Sequence, residues 1–187
     1  SDGNNSNTGD GPAAADAWQS VAHALTSPAV GPGDTIYVMP GSYSQEISPS
    51  RDGTAASSIN IIADTDGSIF GTAGNVVLQA PSGDHVLDLD ADDYLSFTGF
   101  RLRGDGSNDN VDILNCIGLK LEKCEIYNGL RGIEPEGSST TVQINNCVIH
   151  SNSDDGIRNI SGNTMVMNST IVDNGSDGIE QDAGTMN

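Results

Sequence analysis

The sequence predicts an all-β protein: a right-handed three-sheet parallel β-helix, a solenoid of stacked coils, with a short N-terminal capping α-helix. Three observations lead to this fold: a repeat of 22 to 24 residues, alternating apolar residues inside each repeat, and a small apolar content. Only 35% of the 187 residues are hydrophobic and 4% are aromatic. A solenoid tolerates this composition because each coil buries only a few aliphatic side chains against its neighbours.

The repeat is visible when segments of equal pattern are aligned. Each copy has apolar residues at matching positions, and the later copies are followed by a Gly-Ile pair. The copies are residues 95–102, 119–126, 142–149 and 164–171, and the pairs are Gly132-Ile133, Gly156-Ile157 and Gly178-Ile179. Self-similarity at a fixed period indicates stacked structural units.

Within each copy the apolar alternation slips by one residue. Val142 and Ile144 share one phase, whereas Cys147 and Ile149 share the other. In a flat strand a slip would turn the buried face to solvent, so a bend between two strands is predicted there. Each repeat is therefore interpreted as strand, bend, strand, polar loop and third strand, with coils stacked in parallel roughly 4.8 Å apart.

Stacking places equivalent residues of successive coils above one another. Asn and Gly tolerate left-handed backbone angles, and stacked Asn amides bond to each other. The predicted columns are Cys124, Cys147 and Ser169 (inward), Ile126, Ile149 and Ile171 (inward), Asn146 and Asn168 (bend), and Gly129, Asn152 and Asn174 (left-handed, with an amide ladder).

The N-terminal part predicts a lid over the first coil. Asp16-Ala17-Trp18-Gln19 is a capping-box pattern, and Trp18, Val21, Ala22 and Leu25 mark one helical face. Such a helix covers the unpaired strand edges of a solenoid end. We therefore expect one domain, residues 1–187, with an arm and capping helix in residues 1–33. The solenoid of residues 34–187 is expected to continue beyond residue 187 or to be covered there by a partner.

Charge and cysteine content restrict the partners. The chain has 26 Asp and Glu against 7 Lys and Arg, a formal charge of −19. Nucleic acid and anionic membrane surfaces repel such a chain, and no apolar run is long enough to insert into a membrane. The three cysteines lack metal-ligand spacing and are interpreted as small buried apolar residues. No Ser-His-Asp order, phosphate loop or zinc signature is present.

Two regions resemble a known superfamily. Trp18-Gln19-Ser20-Val21 and the segment from Gly33 to Tyr43, GDTIYVMPGSY, resemble the entry segment of secreted pectate lyase-like β-helix proteins. The Asn-Cys-x-Ile and Asp-Gly-Ile repeats resemble the coils of the same superfamily. The resemblance implies the fold, a secreted, extracellular or cell-surface location, and polysaccharides as partners. It does not imply one activity, because this superfamily includes lyases, hydrolases, adhesins and surface-layer modules.

The best candidate for a metal-binding or catalytic site surrounds the Gly-Ile pairs, which stack in successive coils. Lyases of the superfamily use calcium or a basic residue to neutralise a uronate, and an Arg or Lys to remove the ring proton. By this resemblance, Asp154, Asp155 and Asp177 are candidate Ca²⁺ ligands and Arg158 is the candidate catalytic residue. The alternative is structural pairing of charges in two stacked outer columns, which are Glu134, Arg158 and Glu180, and Arg131, Asp155 and Asp177.

A second candidate is a sugar-stacking platform. His150 is expected to point outward beside Tyr127 of the neighbouring coil, and both are candidate substrate-binding residues. Arg101, Arg103 and Lys120 are expected on neighbouring coils, where they meet an acidic glycan or form a solvated face.

Two functions follow from these observations. The first is an extracellular or cell-surface β-helix module, structural or in contact with a glycan, stabilised by calcium and part of a larger protein or assembly. It would self-associate through an uncapped C-terminal end. The alternative is a secreted polysaccharide lyase or hydrolase acting on uronate-containing polymers.

Overall fold

The computed structural model describes residues 4–11 and 16–187, which fold as a parallel β-helix. Helix α1 is Val21–Thr26. The strands in the described residues are β1 (Thr35–Val38), β2 (Gly41–Ser44), β3 (Ile59–Ala63), β4 (Val76–Gln79), β5 (Leu87–Asp90), β6 (Leu95–Thr98), β7 (Arg101–Arg103), β8 (Val111–Leu114), β9 (Leu119–Glu122), β10 (Glu125–Tyr127), β11 (Ile133–Glu136), β12 (Thr141–Asn145), β13 (Val148–His150), β14 (Ile157–Asn159), β15 (Asn163–Met167), β16 (Thr170–Val172), β17 (Ile179–Gln181) and β18 (Thr185–Met186).

The strands form three sheets, and each complete coil contributes one strand to each sheet. Sheet A has the order β1-β3-β6-β9-β12-β15-β18, sheet B the order β16-β13-β10-β7-β4-β2, and sheet C the order β17-β14-β11-β8-β5. All of these strands pair in parallel with the equivalent strand of the next coil. The predicted three-sheet solenoid and its parallel stacking are therefore confirmed.

The core is a continuous column of mostly aliphatic side chains inside the three sheets, with Phe97 and Phe100 the largest. Sheet A contributes Leu95, Leu119 and Val142 in register, and sheet C contributes Ile133 and Ile157. Their side chains are buried because alternate residues of a strand point to the interior. Each coil thus buries the apolar face of the coil beside it, as expected from the low apolar content.

The bend between sheets A and B is the same in four coils. Gly99, Lys123, Asn146 and Asn168 occupy it with φ values of 82, 53, 55 and 50°. Paired inward residues on its two sides are seven positions apart in each of these four coils (95 to 102, 119 to 126, 142 to 149 and 164 to 171). The predicted phase slip is therefore absorbed by one left-handed residue. At the other two bends the spacing varies. After sheet B, for example, equivalent inward residues are seven positions apart from Ile126 to Ile133 but eight apart from Ile149 to Ile157.

The predicted asparagine ladder is present, with one correction. Asn152 accepts from the Asn110 amide at 2.9 Å and donates to Asn174 at 2.9 Å. Its Oδ1 also accepts from the backbone N–H of Gly129 at 3.0 Å. The prediction that Gly129, Asn152 and Asn174 are left-handed is wrong, because the left-handed residues lie one position earlier. They are Asn128, Ser151 and Asp173, with φ values of 61, 55 and 54°.

The N-terminal helix is confirmed, but its predicted start is wrong. Ser20 is the N-cap, and its hydroxyl accepts from the His23 N–H at 3.1 Å. The stretch from Asp16 to Trp18 is a turn outside the helix, because its carbonyls bond to the arm: Asp16 O accepts from Gly9 N at 2.7 Å, and Ala17 O from Asn4 N at 3.0 Å. Trp18 therefore precedes the helix and packs on the core from there. Helix α1 has six residues, and no helix in the described ranges is long and apolar enough to cross a membrane.

Removing the central amide of the ladder should destabilise the protein. In Asn152→Ala, the buried Gly129 N–H and the Asn110 amide lose their acceptor, so we expect the free energy of unfolding to fall by about 2 to 4 kcal/mol. Urea denaturation measures the change. The matched control is Asn163→Ala, which removes an exposed amide. Equal losses in the two variants would contradict a stabilising role for the ladder.

Candidate functional site

The outer side of sheet C is strongly acidic. We call it the acidic face and define it by one column of stacked residues and the positions beside it. The column contains Asp88, Asp112, Glu134, Arg158 and Glu180, and Asp90, Glu136 and Asp182 lie beside it. The predicted outer column of Glu134, Arg158 and Glu180 is thereby confirmed.

Arg158 is surrounded by carboxylates. Its guanidinium lies 3.2 Å from Glu180, 3.0 Å from Asp182 and 4.0 Å from Glu134. Desolvation opposes its charge, but the hydrogen bond and charge of Asp182 and the charges of Glu180 and Glu134 prevail and raise its pKa. A guanidinium held in its charged form binds anions better than it removes protons. The catalytic role of Arg158 remains a prediction, and the contacts are those of the structural alternative.

Arg131 lies where four carboxylates converge. It is 2.7 Å from Glu134, 3.5 Å from Asp109, 3.5 Å from Asp154 and 4.0 Å from Asp155. Because the guanidinium is mostly buried, it offsets repulsion among acids that solvent screens poorly. Arg131 therefore stabilises the loops that lead into sheet C.

The second predicted column is in register, but one of its three residues, Asp155, is not on the outside. Arg131, Asp155 and Asp177 follow one another in successive coils, since Gly132 N donates to Asp155 O and Gly156 N donates to Asp177 O. Asp155 is only 2% exposed, so its placement on an outer column is wrong. The reason is local: its carboxylate accepts from the backbone N–H of Asp177 at 2.9 Å and thus closes the loop.

The predicted calcium ligands have different surroundings. Asp154 contacts Arg131, Asp155 bonds to backbone, and Asp177 is exposed. Among residues 4–11 and 16–187, no group of three or more His, Cys, Asp or Glu has the geometry to hold a metal ion. Calcium binding by these three residues stays a prediction.

The outer side of sheet B carries a different set of groups. We call it the Tyr127 face and define it as Arg101, Arg103, Glu125, Tyr127 and His150. Tyr127 and His150 are register partners, and their rings stack at 5.4 Å between centroids with an angle of 3° between planes. The predicted neighbourhood of His150 and Tyr127 is confirmed, and their role in substrate binding stays a prediction.

Charged groups surround this ring pair. Arg101 lies 5.7 Å from the Tyr127 ring centroid and donates to Glu125 at 2.9 Å. Glu125 also contacts His150 Nε2 at 3.2 Å. The hydrogen bond from Arg101 is the main cause that lowers the pKa of Glu125, and the bond to His150 adds to it. Glu125 therefore remains a carboxylate beside the imidazole.

The cations predicted to act together do not share one face. Arg101 and Arg103 lie on β7 in sheet B, whereas Lys120 lies on the outer side of sheet A, in register with Ser96. Arg103 is exposed beside Tyr127, and no acidic side chain in the described part of the chain forms an ion pair with it. The bend predicted within each repeat separates these cations, since Lys120 precedes the bend at Lys123 and the two arginines follow the equivalent bend at Gly99.

Glu125 is the site residue that the sequence did not reveal. It pairs with Val148, so it reaches His150 only diagonally across the two coils. The signal was available in the alignment of residues 119–126 with 142–149, because a diagonal contact follows once both strands are in register.

Stacked coils in three parallel sheets define a β-helix protein. Residues 87–187, more than half of the chain, match the family model described as the right handed beta helix region. The chain therefore belongs to this family, which also gives the handedness, and the resemblance to pectate lyase-like proteins is consistent with it. No curated protein and no solved structure matched the chain.

The buried carboxyl of Glu134 should make stability depend on pH. Burial, helped by the charge of Asp109, raises its pKa to about 7 although Arg131 and Arg158 oppose the shift. Below the unfolded-state pKa of about 4.3 the carboxyl is protonated in both the folded and the unfolded protein, so its contribution to stability is fully present there. As pH rises through 7 the contribution is lost, and we expect the free energy of unfolding to fall by about 1 to 3 kcal/mol.

Urea denaturation between pH 4.5 and 8 measures this fall. Glu134→Gln should flatten it, whereas Glu136→Gln, which changes an exposed carboxylate on the same strand, should not. Burial also raises the pKa of Asp92 to about 7, so a shallower slope of the same sign should remain. An unchanged slope in Glu134→Gln would contradict the assignment.

Proposed function

We propose that this chain is an extracellular or cell-surface β-helix module that contacts a glycan through the Tyr127 face. The observation that carries the proposal is the parallel stack of Tyr127 and His150, 5.4 Å apart on adjacent coils. His150 covers one face of the Tyr127 ring and Arg101 of the opposite coil lies over the other, so the half-exposed ring edges form an apolar strip beside polar groups, which suits contact with the C–H groups of a sugar ring. The secreted location rests on the family resemblance.

Electrostatics favours the same surface. The acidic face repels any glycan that carries carboxylates, whereas Arg103 is exposed beside the ring pair without an acidic partner in the described residues. Charges separated by more than about 8 Å are largely screened at physiological salt, so a local cation outweighs the net charge of −19 at short range. Arg103 would therefore meet a sugar carboxylate or hydroxyls next to the stacked ring.

A binding comparison of two tyrosines tests the proposal. On a panel of neutral and uronate-containing glycans, Tyr127→Ala should weaken binding about tenfold or more, since aromatic contacts contribute roughly 1 kcal/mol or more beyond burial. Tyr37→Ala is the control, because Tyr37 is 44% exposed on sheet A, away from this face. Arg103→Gln should weaken only acidic glycans. No binding by the unmodified protein, or equal losses in both tyrosine variants, would contradict the proposal.

The alternative function is a polysaccharide lyase with Arg158 as its base. The observation in its favour is the position of Arg158 among carboxylates on an outer sheet face. Because its ion pairs keep Arg158 charged, we expect uronate polymers, with and without calcium, to give no unsaturated product by absorbance near 235 nm. Product that disappears in Arg158→Gln would support the lyase instead.

Two further predictions belong to the same proposal. If Asp154, Asp155 and Asp177 bind calcium, EDTA-treated protein should release or absorb heat on calcium titration and melt at a higher temperature.

If copies of the chain associate end to end, sedimentation velocity should show species larger than the monomer whose fraction grows with concentration.

A further inference from the structure

A hydrogen-bonded chain of three side chains crosses the Tyr127 face. The Ser151 hydroxyl lies 3.0 Å from His150 Nδ1, and His150 Nε2 lies 3.2 Å from Glu125 Oε1. A nucleophile and a base within hydrogen-bond reach, with a third group that orients the base, is the arrangement that activates a serine. Ser151 is exposed, so an incoming substrate can reach its hydroxyl.

The carboxylate is held in the form that this chain needs. Glu125 receives two hydrogen bonds from Arg101, of which one measures 2.9 Å. An ionised Glu125 accepts the Nε2 proton of His150 and leaves Nδ1 free to accept from Ser151. The Tyr127 ring covers one side of the imidazole and restricts its rotation.

An amide donor lies next to the serine. Asn128 and Ser151 are equivalent residues of adjacent coils, because Tyr127 and His150 are register partners. Both residues are exposed and left-handed. In the described part of the chain the Asn128 side chain has no hydrogen-bond partner, so its N–H groups can donate to an oxygen bound at Ser151. Side-chain amides serve as oxyanion donors in acyl transfer.

We infer that Ser151, His150 and Glu125 form an acyl-ester hydrolase site, with Asn128 as the oxyanion donor. The substrate class is an O-acyl ester of a sugar hydroxyl, and this choice of alcohol rests on the proposed glycan contact. The relay itself does not depend on that contact.

The reaction balances without a further reactant except water. Ser151 Oγ attacks the acyl carbon and gives its proton to His150 Nδ1. The bond between the acyl carbon and the sugar oxygen breaks, and that oxygen takes the proton from Nδ1. Water then attacks the acyl-serine and gives a proton to Nδ1, the bond to Oγ breaks, and Oγ regains the proton. The products are the free sugar hydroxyl and a carboxylic acid.

The first test uses the full chain and small probes. The unmodified protein should hydrolyse 4-nitrophenyl acetate and should be labelled once by a fluorophosphonate, with the adduct on Ser151 by peptide mass spectrometry. Ser151→Ala should lose the labelling and at least about a hundredfold in rate, as should His150→Gln. In Asn128→Ala, kcat should fall about ten- to a hundredfold, and the fluorophosphonate should still label Ser151 but more slowly.

The matched control is Ser153→Ala, which removes an exposed hydroxyl two residues away. It should keep both rate and label, and circular dichroism and thermal melting should show that all variants fold. Labelling of another residue, or equal rates for Ser151→Ala and the unmodified protein, would overturn the inference.

A second measurement separates this inference from the proposed function. Ser151→Ala should bind glycans as the unmodified protein does, because Tyr127 and Arg103 are unchanged. Glycan binding without labelling would contradict only the hydrolase site. Labelling without glycan binding would contradict only the proposed glycan contact.

Discussion

The structure depends on one constraint: each coil pairs its backbone hydrogen-bonding groups with the coil beside it and buries its apolar face against that coil. Register is therefore inherited from coil to coil, and a side chain is placed by its column as much as by its own strand. The left-handed residues at Lys123, Asn146 and Asn168 keep that register through the bend. The Asn152 amide does the same after sheet B, since it bonds to Gly129 N in the preceding coil and to Asn174 in the following one. Both surfaces described above follow from this stacking.

Stacking also explains why two outer sides of one chain differ so much. On sheet C, acids recur in register and leave Arg131 and Arg158 saturated with carboxylates. On sheet B, Tyr127 and His150 recur instead, and the local cations keep access to solvent or to a single acid. A column usually contains similar residues in successive coils. A functional residue is therefore better sought where one coil has a different residue type from its neighbours in the same column. Ser151, between Asn128 and Asp173, is such a residue.

The fold could be predicted from the sequence because its signals are local and repeated. The period, the one-residue slip and the Gly-Ile pairs fix three strands per coil, and the structure has them. The errors arose where a side chain competes with that periodicity. Asp16 matched a capping box, but the arm bonds its carbonyl and Ser20 caps the helix instead. Asp155 fell on an outward position, yet its bond to Asp177 N turns it inward. The alignment of residues 119–126 with 142–149 contains the register of the diagonal contact between Glu125 and His150, but a comparison of directly opposite residues alone does not reveal it.

The unequal bends have a consequence for how such a chain changes over generations. From Leu95 onward the corner between sheets A and B keeps seven positions, whereas in the coil before it the equivalent residues, Ile59 and Leu78, are 19 positions apart, and the other two corners differ in length from coil to coil. Differences in length are thus absorbed at the edges of the prism, and the strands on either side keep their register. Residues on the outer side of one sheet can therefore be replaced while the core and the strand pairing beneath them stay intact.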